Sequence, residues 1–358
     1  MAEFDFFEPV NMRGNGSAPS YGYVTEASSG WIHVTGSYWE EDYFGYGFTY
    51  SETTVTGGVL TDFYGDMYGS MVVAINGMQV SVAAVVHYIA AGDVFTAMSI
   101  MASGNDVITC WGYGADVVYA WGGNDYVYGM TGNDYLNGGT GADVMVGGYG
   151  NDVFVIDQAG DRVFEYAGQG TDAAYTSVSF ALAAGQHIET LVTTSQAGTR
   201  AINLTGNELA QRINGNNGVN TINGGGGNDT ISGFNGNDKL IGGAGIDTLI
   251  GGANSDIFVF NAPRSAANRD VVTDFNHVAD TFHVENAVFT HLGSGVHTLA
   301  SSMLRLGTKA LDGNDFLIYN KATGVLSYDH DANGTGAAIT IATLTNHPVL
   351  AANDFLVI

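Results

Sequence analysis

The chain has 358 residues, a formal net charge of −26, 52 glycines and one cysteine, Cys110. That length leaves room for two or three domains. Abundant glycine with little proline excludes a collagen-like or proline-rich disordered chain, and a lone cysteine excludes an internal disulfide. With 36 acidic against 10 basic residues, the chain repels nucleic acid and anionic membrane, and repels itself unless cations neutralise it.

The N-terminus, MAEFDFFEPV, is acidic and lacks the apolar core and small-residue cleavage site of a Sec-type signal peptide. The most apolar stretch, Val80–Met101, is broken by His87 and Asp93 and is a poor membrane-span candidate. Residues 1–99 are expected to form a small β domain dense in Tyr and Phe. MVVAI-NG-MQVSV predicts a hairpin with Asn76-Gly77 in a type I′ turn. SETTVTGGVLTDF predicts another around Gly57-Gly58, and a helical turn is expected near Phe95–Met101.

Residues 100–156 are repetitive. Asp116, Asp125, Asp134, Asp143 and Asp152 recur every nine residues, and Asp106 lies ten before Asp116, which places an inserted residue near Cys110. Each follows a glycine by two: Gly114, Gly123, Gly132, Gly141 and Gly150. A second block, 213–260, repeats the pattern with Asp229, Asp238, Asp247 and Asp256 and the turn glycines Gly227, Gly236 and Gly245. In its weak leading repeats Glu208 and Asn220 are read as replacing Asp, and Asn254 replaces a turn glycine.

The unit has a direct physical meaning. GGxGxD forms a turn whose glycines permit positive φ and leave carbonyls uncovered. Three residues then form a short strand with its middle side chain inward. Those middle residues are Ile108, Val118, Val127, Leu136, Met145 and Phe154, then Ile222, Ile231, Leu240, Leu249 and Phe258, all apolar. Two repeats make one coil, so repeat n stacks on repeat n+2. The expected carboxylate pairs are Asp116 with Asp134, Asp134 with Asp152, Asp125 with Asp143, Asp229 with Asp247, and Asp238 with Asp256. Stacked carboxylates with carbonyls between them are oxygen-only ligands, the set that suits Ca²⁺. Without the ion they repel, so folding and metal binding should be coupled.

These residues resemble the RTX family, the Ca²⁺-binding β-roll proteins exported by type I secretion. The resemblance implies an all-β fold: two Ca²⁺-bound parallel β-rolls joined by a divergent solenoid segment, 157–212, with a small N-terminal β domain and a C-terminal β-rich cap, 261–358. It implies Ca²⁺ as cofactor, with roughly three to four ions per block at most. The ligands would be the aspartates above with carbonyls of the GGxG turns. Asp157, Asp161, Glu165 and Asp172 are further candidates. RDVVTDFNHVADTF resembles a roll-closing segment, with Asp274 and Asp280 as its metal-site acids, and the terminal NDFLVI resembles an uncleaved type I export signal. Asp329, Asp331 and Asn333 before Gly334 open like a Ca²⁺ loop, but Thr340 stands at the twelfth position, so a plain hairpin turn is expected.

No HExxH or GxSxG occurs, and His277, His283, His291 and His297 lack zinc-site spacing. The chain is therefore expected not to be an enzyme. The two blocks differ in their outward residues. The first carries Tyr119, Tyr126, Tyr128 and Tyr135, with Trp111 and Trp121 in adjacent turns; the second carries Thr230, Ser232, Lys239 and Thr248. Exposed aromatics mark interfaces. The leading expectation is a secreted structural protein that assembles with itself on Ca²⁺ binding, as a surface layer, filament or matrix component, after handling by the type I secretion machinery. The alternatives are an adhesin for cell-surface polysaccharide using Trp31 and Trp39, and a polysaccharide-modifying enzyme with an unrecognised site in residues 1–99.

Overall fold

The computed structural model describes residues 105–358 except 106, 112 and 113, and, within the first hundred residues, the backbone of the strands named below. Among the described residues there is no α-helix, only strands and two 3-10 turns, Ser301–Met303 and Ala352–Asp354. No helix there is long and apolar enough to cross a membrane. The chain divides into two compact units, Met1–Tyr175 and Thr176–Ile358. The first unit therefore takes in the N-terminal strands together with the first block.

In the first unit one sheet begins as an antiparallel meander: Pro9–Met12, Ser20–Ala27, Trp31–Gly36, Trp39–Ser51, Thr54–Met67 and Ser70–Ser81. Ser70–Ser81 then pairs antiparallel with Val107–Trp111. From there the sheet turns parallel through Tyr126–Thr131, Val144–Tyr149 and Arg162–Phe164. A second sheet stacks Ala97–Ser99, Val117–Tyr119, Tyr135–Asn137 and Val153–Ile156 in parallel. Successive repeats alternate between the two sheets, which is the β-roll the nine-residue period predicts.

Three local expectations fail in the N-terminal region. Asn76-Gly77 is no turn: Ser70–Ser81 is one strand, in which Asn76 pairs with Asp62 on one side and Val107 on the other. Gly57 likewise lies within the strand Thr54–Met67, opposite Thr49 and flanked by bulges. Chain reversal falls instead where Ser51 pairs with Thr54 and Met67 with Ser70. The dipeptide signals are local, whereas hydrogen bonds along both strand edges outweigh them; glycine inside a strand then marks a bulge. The expected helical turn is the strand Ala97–Ser99, whose Met98 pairs with Val118 and so supplies the edge of Val117–Tyr119 with a partner. Residues 82–96 lie outside the described residues.

Apolar ladders fill the rolls. Ile108, Val127, Met145 and Val163 lie in register in one sheet, and Val118, Leu136 and Phe154 in the other, all buried. The step from Ile108 to Val127 is one residue longer than that from Val127 to Met145, which is where the insertion near Cys110 is absorbed. Each buried Leu, Ile or Phe contributes about 2 kcal/mol relative to exposure.

In the second unit one parallel row runs Phe180–Ala181, Leu204–Thr205, Thr221–Gly226, Lys239–Ala244, Ile257–Phe260, Thr281–Val284 and Phe355–Val357. The facing row runs Thr190–Thr193, Arg212–Asn214, Thr230–Asn235, Thr248–Ala253, Asp270–Val272 and Ile339–Leu344. The divergent segment is thus solenoid with longer coils, as in the pairing of Phe180 with Leu204 and Leu191 with Ile213. Ile213, Ile231, Leu249 and Val272 form one buried ladder, and Leu204, Ile222, Leu240, Phe258 and Phe282 the other. The second ladder ends in a ring cluster, with Phe275 stacked on Phe282 at 4.0 Å and Phe355 at 5.3 Å on the other contact. Val325–Tyr328 and Ile339–Leu344 are antiparallel, so Asp329, Asp331 and Asn333 sit in a hairpin connection, as the sequence suggests.

Candidate calcium sites

The aspartates of the repeats come together in the pairs that the spacing predicts. One carboxylate oxygen of each accepts the backbone N–H of the aspartate one coil earlier. Asp116 N–H donates to Asp134 Oδ1 at 2.8 Å, Asp134 to Asp152 at 2.7 Å and Asp125 to Asp143 at 2.8 Å. In the second block Asp229 donates to Asp247 at 2.8 Å and Asp238 to Asp256 at 2.9 Å. The inward apolar side chain two residues on holds each aspartate in place, because its strand is locked to the coils before and after.

The second oxygen is what makes these positions a site. Oδ2 of Asp116, Asp134, Asp143, Asp152, Asp229, Asp238, Asp247 and Asp256 is buried and has no hydrogen-bond partner. A buried carboxylate oxygen left so is costly unless a cation meets it. All but that of Asp116 face a hollow that only glycine leaves open. A Cβ at Gly129 would stand 2.5 Å from Asp134 Oδ2 and 2.8 Å from the carbonyl of Gly147; one at Gly233 would overlap Asp238 Oδ2 and lie 2.7 Å from the carbonyl of Gly251. Carboxylate and carbonyl oxygens thus converge where no protein donor reaches, a donor set that fits Ca²⁺. Such an ion, when bound, would neutralise the stacked carboxylates.

The turn glycines predicted as carbonyl donors are stacked coil upon coil. Gly132 faces the carbonyl of Gly114, Gly141 that of Gly123, Gly150 that of Gly132, Gly236 that of Gly218 and Gly245 that of Gly227, each too close for a Cβ. At Gly132, with φ at 139°, the backbone conformation also requires glycine. The carbonyls beside the orphaned oxygens belong to other glycines, Gly147, Gly242 and Gly251, five residues before an aspartate. Sequence reasoning passed over these; the first G of GGxGxD was the signal. It also passed over the residue before each aspartate. Asn124, Asn133, Asn228 and Asn237 each accept an N–H from the next coil, at 2.8, 2.7, 2.8 and 3.1 Å.

The electrostatics agree with a cation requirement. Burial, with the charge of stacked neighbours adding to it, pushes Asp134 and Asp143 up to about 7. Asp229 and Asp256 also rise to about 7, and Asp116 and Asp238 to about 6, all chiefly through burial.

The ladders end on further acids, of which Asp161 still keeps the eighteen-residue step while Asp172, Asp270 and Asp280 lie outside the period. Asp143 donates to Asp161 at 3.1 Å, Asp152 to Asp172 at 2.7 Å, Asp247 to Asp270 at 3.2 Å and Asp256 to Asp280 at 2.9 Å. Asp270 was not singled out from sequence; its signal was the inward Val272 two residues on. Asp274 lies over the turn instead, accepting the N–H groups of Gly251 and Gly252 at 3.0 and 2.8 Å. Asp280 Oδ2 accepts Asn276 N–H at 2.8 Å. Asp157 Oδ1 is buried without a hydrogen-bond partner. Asp106 lies outside the described residues.

Glu208 does not hold the ladder position. It is exposed and accepts the Gly185 N–H at 2.7 Å. Gln211 stands in register instead, its N–H donating to Asp229 Oδ1 at 2.7 Å, because it lies the regular eighteen residues before Asp229 and Glu208 falls three residues short of that phase. Asn220 is in register as expected and donates to Asp238 at 2.8 Å. Asn254 takes the positive-φ turn position, at 87°, in place of glycine.

Of the outward aromatics, Trp121 and Tyr126 are 49% and 47% exposed and Tyr119 is exposed; Tyr128 and Tyr135 are half-buried, with the Tyr119 and Tyr135 rings 5.6 Å apart. The side chain of Trp111 lies outside the described residues. Tyr149 and Tyr166, each 63% exposed, extend the set. In the C-terminal region His291 packs on Phe316 and meets the Tyr328 hydroxyl at 3.1 Å, and His297 lies between the carbonyls of Gly295 and Leu292.

A parallel β-roll whose turns present orphaned carboxylates and bare carbonyls defines a class of cation-dependent solenoid. Residues 112–136, 128–158, 205–233 and 232–262 match the RTX calcium-binding nonapeptide repeat. The chain thus carries four copies of a calcium-binding repeat, and proteins that carry this repeat are typically exported by type I secretion. No curated protein matches the sequence.

Proposed function

We propose that this chain is a secreted, non-enzymatic structural protein that folds on meeting extracellular Ca²⁺ and then assembles with itself. The row of buried carboxylate oxygens without partners carries this reading. It makes the rolls unstable where Ca²⁺ is scarce and stable where it is abundant, the difference between cytoplasm and exterior. Type I secretion is the route that RTX-repeat proteins typically take, and the strand Phe355–Val357 would belong to the export segment. Assembly is supported by the exposed aromatic face of the first block, which has no counterpart in the second, where Thr230, Lys239 and Thr248 take the flanking strand positions. Light scattering and electron microscopy of the full-length protein, with and without Ca²⁺, test it. Ordered assemblies are expected only with the ion; monomers under both conditions would overturn the assembly reading and leave the calcium chemistry standing.

A further inference from the structure

The end of the first block holds three carboxylates that the repeat pattern does not account for. Asp152 is the last aspartate of its row of coils, Asp116, Asp134 and Asp152, to keep the eighteen-residue spacing. Asp172 follows it by 20 residues, and both Glu165 and Asp172 lie beyond the matched repeats, which stop at residue 158. All three side chains are buried, and one oxygen of each lies within 4.8 Å of the others. Proximity of acids alone would not make a site. Here Asp152 Oδ2, on a residue only 1% exposed, has no hydrogen-bond partner and points into the cluster. A Cβ placed on Gly147 would collide with both that oxygen and Glu165 Oε2, so the two oxygens share one hollow.

The rest of the cluster is already fixed. Asp152 Oδ1 accepts the Asp134 N–H, and Asp172 Oδ1 accepts the Asp152 N–H at 2.7 Å. Glu165 is anchored at both oxygens, Oε1 to the Tyr166 N–H at 3.2 Å and Oε2 to the Gly148 N–H at 3.3 Å. The three groups are held by backbone donors, with Asp152 Oδ2 left over in the hollow it shares with Glu165 Oε2. The repeat positions bring together no comparable trio among the described residues; the other group of three, Asp329, His330 and Asp331, is largely exposed.

We propose that Asp152, Glu165 and Asp172 hold a Ca²⁺ ion at the last rung of this row, beyond the matched repeats, where Glu165 adds a third carboxylate that the repeat-to-repeat sites lack, and that this ion seals the end of the first block. This rests on the calcium reading of the repeats. Oxygen ligands and high charge density select a hard divalent cation, and affinity for Ca²⁺ rises with the number of charged ligands and the rigidity of the site. Three carboxylates on a fixed frame fill before the repeat turns, which offer fewer charges and more carbonyls. The first block then closes from this end at a Ca²⁺ concentration too low to order the rest.

Crystals of the full-length protein soaked in Tb³⁺ or grown in Ca²⁺, with the ions located by anomalous scattering, test the site directly. A peak about 2.4 Å from oxygens of Asp152, Glu165 and Asp172 is expected. Peaks at the repeat turns with none among these three residues would overturn this inference alone; no peaks anywhere would overturn the calcium reading with it. In solution, Glu165→Gln keeps the size of the side chain and removes its charge. Equilibrium dialysis should then show the tightest phase weakened, its half-filling shifted to roughly tenfold higher Ca²⁺ or more. Circular dichroism at saturating Ca²⁺ should match wild type. A tightest phase with the wild-type midpoint would overturn the inference. Should the variant fail to fold, the wild-type crystals decide.

Discussion

The coils that carry aspartate and the coils that lead into the second block solve the same problem in opposite ways. At Asp134 one oxygen takes the neighbouring N–H and the other is buried without a partner. At Asn220 the side chain closes on the protein itself: Oδ1 accepts the Asn216 N–H at 2.9 Å, and Nδ2 donates to the Ile202 carbonyl at 2.7 Å and to Asn216 Oδ1 at 3.1 Å. Gln211 does likewise with Asn207, at 3.2 and 2.7 Å. The backbone ladder is the same in both. An amide supplies donor and acceptor and needs nothing more, whereas a carboxylate supplies only acceptors and needs a cation. The same fold therefore contains coils that are complete as neutral protein and coils that are complete only with metal.

The largest expected effect is on the aspartate coils as a set. Chelation should remove most of the β structure of the two blocks, and Ca²⁺ in the millimolar range, on the order of the affinity of extracellular modules, should restore it. Hydrogen exchange resolves the comparison: strands near Asn216 and Asn220 should retain more protection in chelator than those near Asp134 and Asp143. Equal loss in both would break it. Next in size, Asp134→Asn keeps the acceptor for the Asp116 N–H but removes the charge. The Ca²⁺ midpoint of folding should rise about tenfold, and a midpoint equal to wild type would show that the Oδ2 hollow holds no ion.

The converse substitution, Asn220→Asp, sets a carboxylate oxygen against the Ile202 carbonyl and Asn216 Oδ1. It should cost about 2 kcal/mol in chelator, with Ca²⁺ recovering part of the loss. Thermal melts in both conditions check this; identical melts would mean that the amide closure does not matter.

A pH effect follows from the raised carboxyls. Asp134 and Asp143 stand at about 7 in the metal-free fold against an ordinary 3.8, so the folded coil keeps protons that the unfolded chain has lost. The resulting stability is fully present below 3.8 and is lost as pH rises through about 6 to 7. In chelator, β structure should grow on acidification from pH 7.5 to 5, while in Ca²⁺ the same change should weaken ion binding. Loss of β structure in chelator on that acidification would contradict it. Smallest is Met130→Gly. Met130 holds φ at 72°, the turn position that Gly139 and Gly148 fill in the next repeats, and relief of that strain should add about 1 kcal/mol.

Much of the roll was legible because its signal is periodic. Nine-residue spacing fixed both the inward ladder and the partner of every repeat aspartate, since a one-residue slip would turn Val127 or Leu240 outward. The ends were harder to read. Asp172, Asp270 and Asp280 join the ladders at separations of 20, 23 and 24 residues, so no period leads to them and only the folded turn does. Gln211, by contrast, sits on the regular eighteen-residue step before Asp229, and only its amide in place of a carboxylate turns attention to the nearby acid Glu208. In the N-terminal strands, Asn76-Gly77 and Gly57-Gly58 carried turn chemistry that non-local pairing overrode. The Gly147 carbonyl and the Asn124 ladder lay inside the recognised motif but did their work across coils, where sequence order offers no view.

The aspartate ladder also gives each block a front and a back. Every rung runs one way, from a backbone N–H to a carboxylate one coil later, so a block cut short at its start leaves an acceptor idle, while one cut short at its end strands a buried donor. Buried N–H groups without acceptors are the rarer and costlier defect. Asp172 and Asp280, standing outside the repeat, are the stoppers that fill this end. The two ends of each roll are accordingly unequal, like those of a polar filament. Trimming from the N-terminal side should peel away coils one by one, whereas removing a stopper should loosen the whole stack behind it.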